Sequence, residues 1–129
     1  MLSMNAEGKA GGTDGREPYR RVLDELLGGP AGTAVRVAFV YEDDAIDIAH
    51  LREDLLSVDM RPRVEELHER ATHFQMAPDE TTRTVYGDLE LVVAVREEVV
   101  ELYFLGGEGE GLIATADRSA DVLVELLQL

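Results

Sequence analysis

The chain has 129 residues, which is enough for one domain around a single core and too few for two. Its 27 carboxylates outnumber its 12 cations and give a formal net charge of -15, which argues against a basic nucleic-acid-binding surface. Cysteine is absent, so disulfides, thiol nucleophiles and thiolate metal sites are excluded.

The first 16 residues are polar and rich in glycine, and we expect them to form a flexible tail ahead of one domain over residues 17–129. Helical periodicity follows at once and predicts a first helix. Gly28-Gly29-Pro30 should end it. Its apolar stripe consists of Tyr19, Val22, Leu23, Leu26 and Leu27.

From Val35 the apolar period changes to two, which indicates a β-hairpin with its turn at Asp43-Asp44. This hairpin pairs Tyr41 with Ile46, Phe39 with Ile48 and Val37 with His50. A competing interpretation makes residues 45–56 a helix capped by Asp44, because Ile48, Leu51 and Leu55 also fit a helical stripe. The pattern favours the hairpin without deciding the question.

Asp59 can cap a second helix that runs to about residue 75. Its solvent face should carry Glu65, Glu66, Glu69 and Arg70. Its inner stripe should consist of Val64, Leu67, His68, Ala71 and Phe74.

The remaining segments predict strands and a last helix. Residues 81–86 suit a strand, and residues 89–96 and 99–105 suit a second hairpin about Glu97-Glu98. A glycine-rich connection at residues 106–111 leads to a strand over 112–116, and the last helix begins at Ser119. We expect that hairpin to pair Val95 with Val100, Val93 with Leu102 and Leu91 with Phe104, and the last helix to bury Ala120, Leu123, Val124 and Leu127.

The resulting order is helix, strand, strand, helix, three strands, helix, or αββαβββα. It predicts a single α+β domain with about five mainly antiparallel strands and three helices. This order resembles that of the roadblock and profilin-like domains. The resemblance implies a fold only, because such layouts carry unrelated functions.

Particular stretches resemble a family of small uncharacterised haloarchaeal proteins. They are Tyr41-Glu42-Asp43-Asp44 with Leu51-Arg52-Glu53-Asp54-Leu55, and Tyr86-Gly87-Asp88-Leu89 with Val99-Val100-Glu101-Leu102-Tyr103-Phe104 and Gly111-Leu112-Ile113. The resemblance spans most of residues 17–129. It implies a salt-rich cytoplasm and a fold, and it implies no activity and no functional residues.

The choice of cations also indicates salt adaptation, since eleven of the twelve are Arg and Lys9 is the single Lys. Molar salt shortens the Debye length to about 3 Å and screens the repulsion among carboxylates. The alternative explanation is an acidic protein without salt adaptation, whose GC-rich gene favours Arg codons over Lys codons. No apolar leader or membrane-spanning run is visible, so we expect a cytoplasmic protein that binds neither membranes nor nucleic acid.

Other residue patterns give little support for a ligand site. His68 and His73 are five residues apart, so they diverge around a helix and do not share a metal. The acidic run Glu42, Asp43, Asp44 and Asp47 lacks the glycine and distal Glu of a calcium loop. Glu108 and Glu110 would repel a phosphate from the glycine-rich connection. We expect no catalytic residue, cofactor or metal.

The candidate interaction residues are His50, Arg52 and Asp54, three polar groups at the end of the second strand. A strand end that simply emerges into solvent also explains them, and the pattern favours that simpler explanation.

The leading functional hypothesis is a noncatalytic interaction module, a scaffold or regulatory partner that acts through a sheet edge or the second helix, with a homodimer as one form. It requires an exposed apolar patch. The alternatives are a small-molecule or nucleotide sensing domain, which needs a pocket, and a small enzyme, in which His50 or His68 would meet a carboxylate.

Overall fold

The computed structural model describes residues 3–5, 17–76, 85 and 87–126. They form one six-stranded sheet in the order β1-β3-β2-β6-β5-β4, and its five longer strands pair antiparallel with one another. The described helices number three, so the α+β prediction is confirmed. The elements are β1 (Ser3–Asn5), α1 (Arg20–Gly28), β2 (Val35–Glu42), β3 (Ala45–Leu51), α2 (Arg61–Met76), β4 (Leu91–Val95), β5 (Val99–Gly107), β6 (Glu110–Asp117) and α3 (Ala120–Leu126).

Helices cover both faces of the sheet. On one face, α1 and α3 pack through Leu23, Leu26 and Val122 onto alternate residues of β2, β5 and β6. On the other face, α2 packs through Val64 and Leu67 onto the residues in between. Strand side chains alternate between the two faces, so each central strand contributes to two apolar clusters.

The first predicted hairpin is present, so the helix alternative for residues 45–56 is wrong. Tyr41 pairs with Ile46 and Phe39 with Ile48, as expected. The third predicted pair is wrong because a register shift between Ala38 and Phe39 places Leu51 opposite Val37. At this irregularity β3 contains one residue more than β2, so residues of β2 before Phe39 pair one position later in β3 than predicted.

The second hairpin has the predicted register throughout, with Val95 opposite Val100, Val93 opposite Leu102 and Leu91 opposite Phe104. The glycine-rich segment is mostly strand, because β5 and β6 extend through most of it and leave a two-residue turn. Gly109 in this turn has φ +76, a conformation that favours glycine. The turn also touches the first hairpin, where the Asp43 N–H donates to the Gly109 carbonyl at 2.6 Å.

The helices follow the predicted stripes at the start of the chain and depart from them at the end. α1 buries Leu23 and Leu26, and α2 buries Val64, Leu67, His68 and Ala71. Asp59 caps α2 by accepting from the Arg61 N–H at 3.1 Å. In α3 the predicted face is only partly right: Leu123 packs against the core as expected, but Val122 is buried and Val124 is 55 % exposed. The predicted Leu127 lies outside the described residues, and so does the side chain of Ala120.

Two further segments differ from the sequence expectations. Of the expected tail, Ser3–Asn5 form β1, which pairs in parallel with Ala45–Asp47 and gives the sheet its sixth strand. Residues 6–16 lie outside the described part of the chain. Of the expected strand over 81–86, only Val85 is described, and its conformation is helical.

Candidate interaction site at the edge of the sheet

The predicted trio at the end of β3 separates into a charge network and a histidine. Arg52 binds Asp54 through two hydrogen bonds, Nε to Oδ1 at 2.7 Å and Nη2 to Oδ2 at 3.1 Å. His50 instead contacts the Val35 carbonyl at 3.2 Å through Nε2. The three residues therefore do not form one cluster.

Arg52 also fastens the ends of three strands together. Its Nη1 donates to Asp117 at the end of β6 at 2.5 Å, and Arg36 of β2 donates to the same carboxylate at 3.2 Å. Hydrogen bonds from Arg52 and Arg36 hold the pKa of Asp117 below its ordinary value. The hydrogen bonds from Arg52 also lower the pKa of Asp54. A network that pairs its own charges in this way explains these residues without a ligand.

The other two histidines are placed as the sequence predicted. His68 is buried, contacts the Asp43 carbonyl at 2.7 Å and lies edge-on against Tyr41. His73 is exposed. Within residues 17–76 and 87–126, no cluster of His, Asp and Glu has the arrangement of a metal site.

A second charge network, which the sequence analysis missed, lies between α2 and β5. Glu101 is only 3 % exposed, and its carboxylate accepts from Arg70 at 2.7 Å, from Arg96 at 2.6 Å and from the Tyr103 hydroxyl at 2.5 Å. Burial alone would raise the pKa of Glu101, but these three hydrogen bonds outweigh burial and hold the pKa below its ordinary value. Arg70 was expected in solvent. It turns toward the sheet because a buried carboxylate needs a cation.

The strand β4 is the outermost strand on this side of the sheet. Its five residues, Leu-Val-Val-Ala-Val, carry no charge. Leu91, Val93 and Val95 face the side covered by α1 and α3, yet they are 39 %, 42 % and 49 % exposed. Their partners Leu102 and Val100 on β5 are fully buried, so the helical cover stops one strand short of the edge.

The main-chain groups of the same three residues point away from the sheet. Arg96 N–H donates to Val99, and Leu105 N–H donates to Glu90, both at 2.8 Å. In an antiparallel pair the bonded residues alternate, so the even-numbered residues of β4 bond to β5. The N–H and C=O of Leu91, Val93 and Val95 then line the outer edge. In the described part of the chain no strand pairs with that edge.

Sequence reasoning paired these three residues correctly but did not recognise them as a surface. The pattern contained one usable signal, a charge-free run of five residues in a chain in which 30% of residues are charged. Strand order in the sheet, which decides whether such a run is central or at an edge, depends on contacts distant in sequence.

None of the described helices is long and apolar enough to cross a membrane. No curated protein sequence matches the chain. Among solved structures, it is similar to a Roadblock/LC7 domain from Streptomyces avermitilis, with 18% sequence identity and a TM-score of 0.46 over 71% of this chain and 73% of that one. The model of a family described as "Domain of unknown function (DUF7522)" matches residues 21–128. The chain therefore belongs to the DUF7522 family.

Proposed function

We propose that this protein is a noncatalytic interaction module, a scaffold or regulatory partner in a salt-adapted cytoplasm, which associates with a second copy of itself through the open edge of β4. The observation that carries the proposal is the charge-free edge strand with Leu91, Val93 and Val95 exposed along it. These residues supply the exposed apolar patch that an interaction module requires.

The chemistry of this edge suits the addition of another strand. Proteins usually protect sheet edges with lysine, proline, a bulge or a covering segment, because unpaired main-chain groups attract other strands. β4 has no lysine or proline, and its pairing with β5 shows no register shift. An added strand would satisfy the outer N–H and C=O groups and cover part of the apolar side chains.

Electrostatics favour a second copy as the partner strand. Two molecules with a net charge of -15 repel each other over most of their surfaces, and a charge-free strip is where they meet at the lowest cost. A two-fold dimer also requires a surface that complements itself, and an apolar strand meets this condition with its own image.

The placement of two histidines supports a noncatalytic role. An enzyme of this size would need His50 or His68 to meet a carboxylate in a cleft. Each of them instead contacts a main-chain carbonyl, of Val35 and of Asp43 respectively. Both contacts serve to fasten strands and turns together.

The test is sedimentation equilibrium in 2 M KCl. We expect wild type at twice the chain mass of 14.2 kDa and Val93→Lys at the chain mass. Val58→Lys is the matched control, because Val58 is also a half-exposed valine, at 51 %, but lies in the loop before α2. Wild type that stays monomeric at high micromolar concentration, or a Val58→Lys variant that dissociates equally, would contradict the proposal.

Salt adaptation makes a separate prediction about the same samples. Because screening weakens repulsion both within a molecule and between two molecules, the midpoint of thermal unfolding and the dimer affinity should both rise from 0.1 M to 2 M KCl. We expect sodium sulfate at matched ionic strength to act in the same direction. Equal stability in dilute buffer and in molar KCl would overturn the inferred habitat.

A further inference from the structure

We infer that the second copy pairs antiparallel to β4 in a single register centred on Val93, and that Glu90 and Arg96 select this register, with Arg96 held in position by buried Glu101. The inference rests on the proposed self-association through β4. It adds the geometry of recognition, namely which residue of one copy meets which residue of the other.

The main chain restricts the register first. Within β4 the outward groups belong to Leu91, Val93 and Val95, so these are the residues of the strand that can exchange hydrogen bonds with a partner strand. With Val93 opposite the partner's Val93, Leu91 lies opposite the partner's Val95, and all three residues are matched in both copies. A shift of the partner by two residues removes the match for one residue in each copy.

Charge then distinguishes this register from its neighbours. In it, Glu90 lies opposite the partner's Arg96, and the same pair recurs at the other end of the strand. By the two-residue alternation, both side chains lie on the same face as Val92 and Ala94. After a shift of two residues, Glu90 faces an apolar residue or Arg96 does. An opposite-charge pair stabilises a cross-strand contact, and the centred register forms such pairs between the residues that directly adjoin the two ends of β4.

The buried network prepares Arg96 for this contact. Its Nε donates to Glu101 at 2.6 Å, and Glu101 is itself held by Arg70 at 2.7 Å and by Tyr103. The Arg96 side chain remains 51 % exposed, so the outer part of its guanidinium is accessible to a partner carboxylate. An arginine that is already fixed loses little freedom on binding, which strengthens the contact. Glu101 is thus a positioning residue for the interface.

Disulfide trapping tests the register directly, because the chain contains no cysteine. Directly bonded residues of an antiparallel pair have Cα atoms about 5.5 Å apart, within the range a disulfide spans. Mild oxidation in 2 M KCl should cross-link Val93→Cys with itself. Leu91→Cys and Val95→Cys should each remain largely without a cross-link when alone, although still associated, and should cross-link when mixed. Self-linking of Leu91→Cys or Val95→Cys at the rate of Val93→Cys would overturn the register.

A charge exchange tests the selecting residues. Glu90→Arg and Arg96→Glu each place like charges opposite one another in a homodimer, and each should weaken self-association at least tenfold. Mixed together, the two variants restore both opposite-charge pairs, so the heterodimer should form with near wild-type affinity. If the mixture associates no more tightly than either variant alone, Glu90 and Arg96 do not select the register.

The possible failures are distinguishable. Arg96→Glu also disturbs Glu101, so its circular dichroism and unfolding midpoint must be compared with wild type, whereas the cysteine variants leave that network intact. If Val93→Lys dissociates the dimer but the cross-links follow another pairing, self-association stands and the register is wrong. If wild type is monomeric and no cysteine variant cross-links, both the proposed function and the inference fail.

Discussion

The two sides of the sheet differ in how regular their outer strands are and in whether another strand covers them. On the β3 side, β1 pairs with Ala45–Asp47. The pairing of β3 with β2 is also irregular, because its register shifts between Ala38 and Phe39 of β2. At the β4 edge the strand is regular and apolar, and no strand covers it in the described part of the chain. Bulges and covering strands suppress edge pairing. In the described part of the chain, one edge is therefore partly covered and irregular, and the other is uncovered and regular, which is the contrast on which the proposed self-association rests.

The two edges also differ in how they are fastened to the rest of the fold. Beside β4, buried Glu101 links β5 to α2 and to the β4–β5 turn. At the end of β3, Arg52 links three strand ends through Asp117, a carboxylate that is 45 % exposed. Ion pairs shielded from water depend strongly on both partners, and exposed ones contribute little. We therefore expect the β4 side to be far more sensitive to loss of a charge.

The largest effect is expected from Glu101→Gln, which leaves Arg70 and Arg96 without their buried partner. Removing one member of a buried ion pair costs about 3 kcal/mol or more of the free energy of unfolding. Urea unfolding at constant KCl measures it, with Val93→Lys as the background so that dimerisation does not contribute. A loss below about 1 kcal/mol would show that Glu101 does not anchor this side of the sheet.

The dependence of stability on pH should also reflect the ionisation of Glu101. The pKa of Glu101 is lowered in the folded state, so its stabilisation is present above the unfolded value of 4.5 and is lost as pH falls through the lower folded value. Wild type should thus lose stability more steeply than Glu101→Gln as the pH falls below 4.5. Parallel curves for the two proteins would contradict this assignment.

At the other edge, Asp117→Asn should have a smaller effect. Arg52 keeps its two hydrogen bonds to Asp54, and solvent screens the remaining charges, so we expect a loss of at most about 1 kcal/mol. The same urea titration measures it. A loss equal to that of Glu101→Gln would remove the proposed difference between the two sides.

Two buried tyrosines give a further comparison, in which the smallest effect of all is expected at Tyr19. The Tyr19 hydroxyl is buried without a hydrogen-bond partner among the described residues, and burial together with nearby Glu110 raises the pKa of Tyr19 to about 12. The Tyr103 hydroxyl bonds to Glu101. Tyr19→Phe should therefore be neutral or slightly stabilising, whereas Tyr103→Phe should cost about 1–2 kcal/mol. The reverse order in thermal unfolding would contradict these hydrogen-bond assignments.

The sequence predicted local structure well where one apolar period dominated. The register of the β4–β5 hairpin followed from strict alternation, and the inner stripe of α2 from a clear helical pattern. The β2–β3 register was wrong beyond the bulge, since an extra residue leaves no trace in the alternation. In α3 a short run of Val and Leu fits two neighbouring faces, so Leu123 was predicted correctly but Val124 was chosen in place of Val122.

The candidate site was less predictable for a physical reason. Exposure of Leu91, Val93 and Val95 depends on which strand lies next to β4 and on where α1 and α3 end over the sheet. Both are set by contacts between residues far apart in the chain. The polar trio His50, Arg52 and Asp54 was chosen because it breaks an apolar pattern, but a strand end produces the same break.

Hydrogen exchange of the β4 amides tests the central claim most directly. The amides of Val92 and Ala94 bond to β5 and should exchange slowly at every protein concentration, whereas those of Leu91, Val93 and Val95 point outward. In 2 M KCl the outward amides should be protected in concentrated samples and should become fast on dilution. Outward amides that exchange fast and independently of concentration would contradict self-association through this edge.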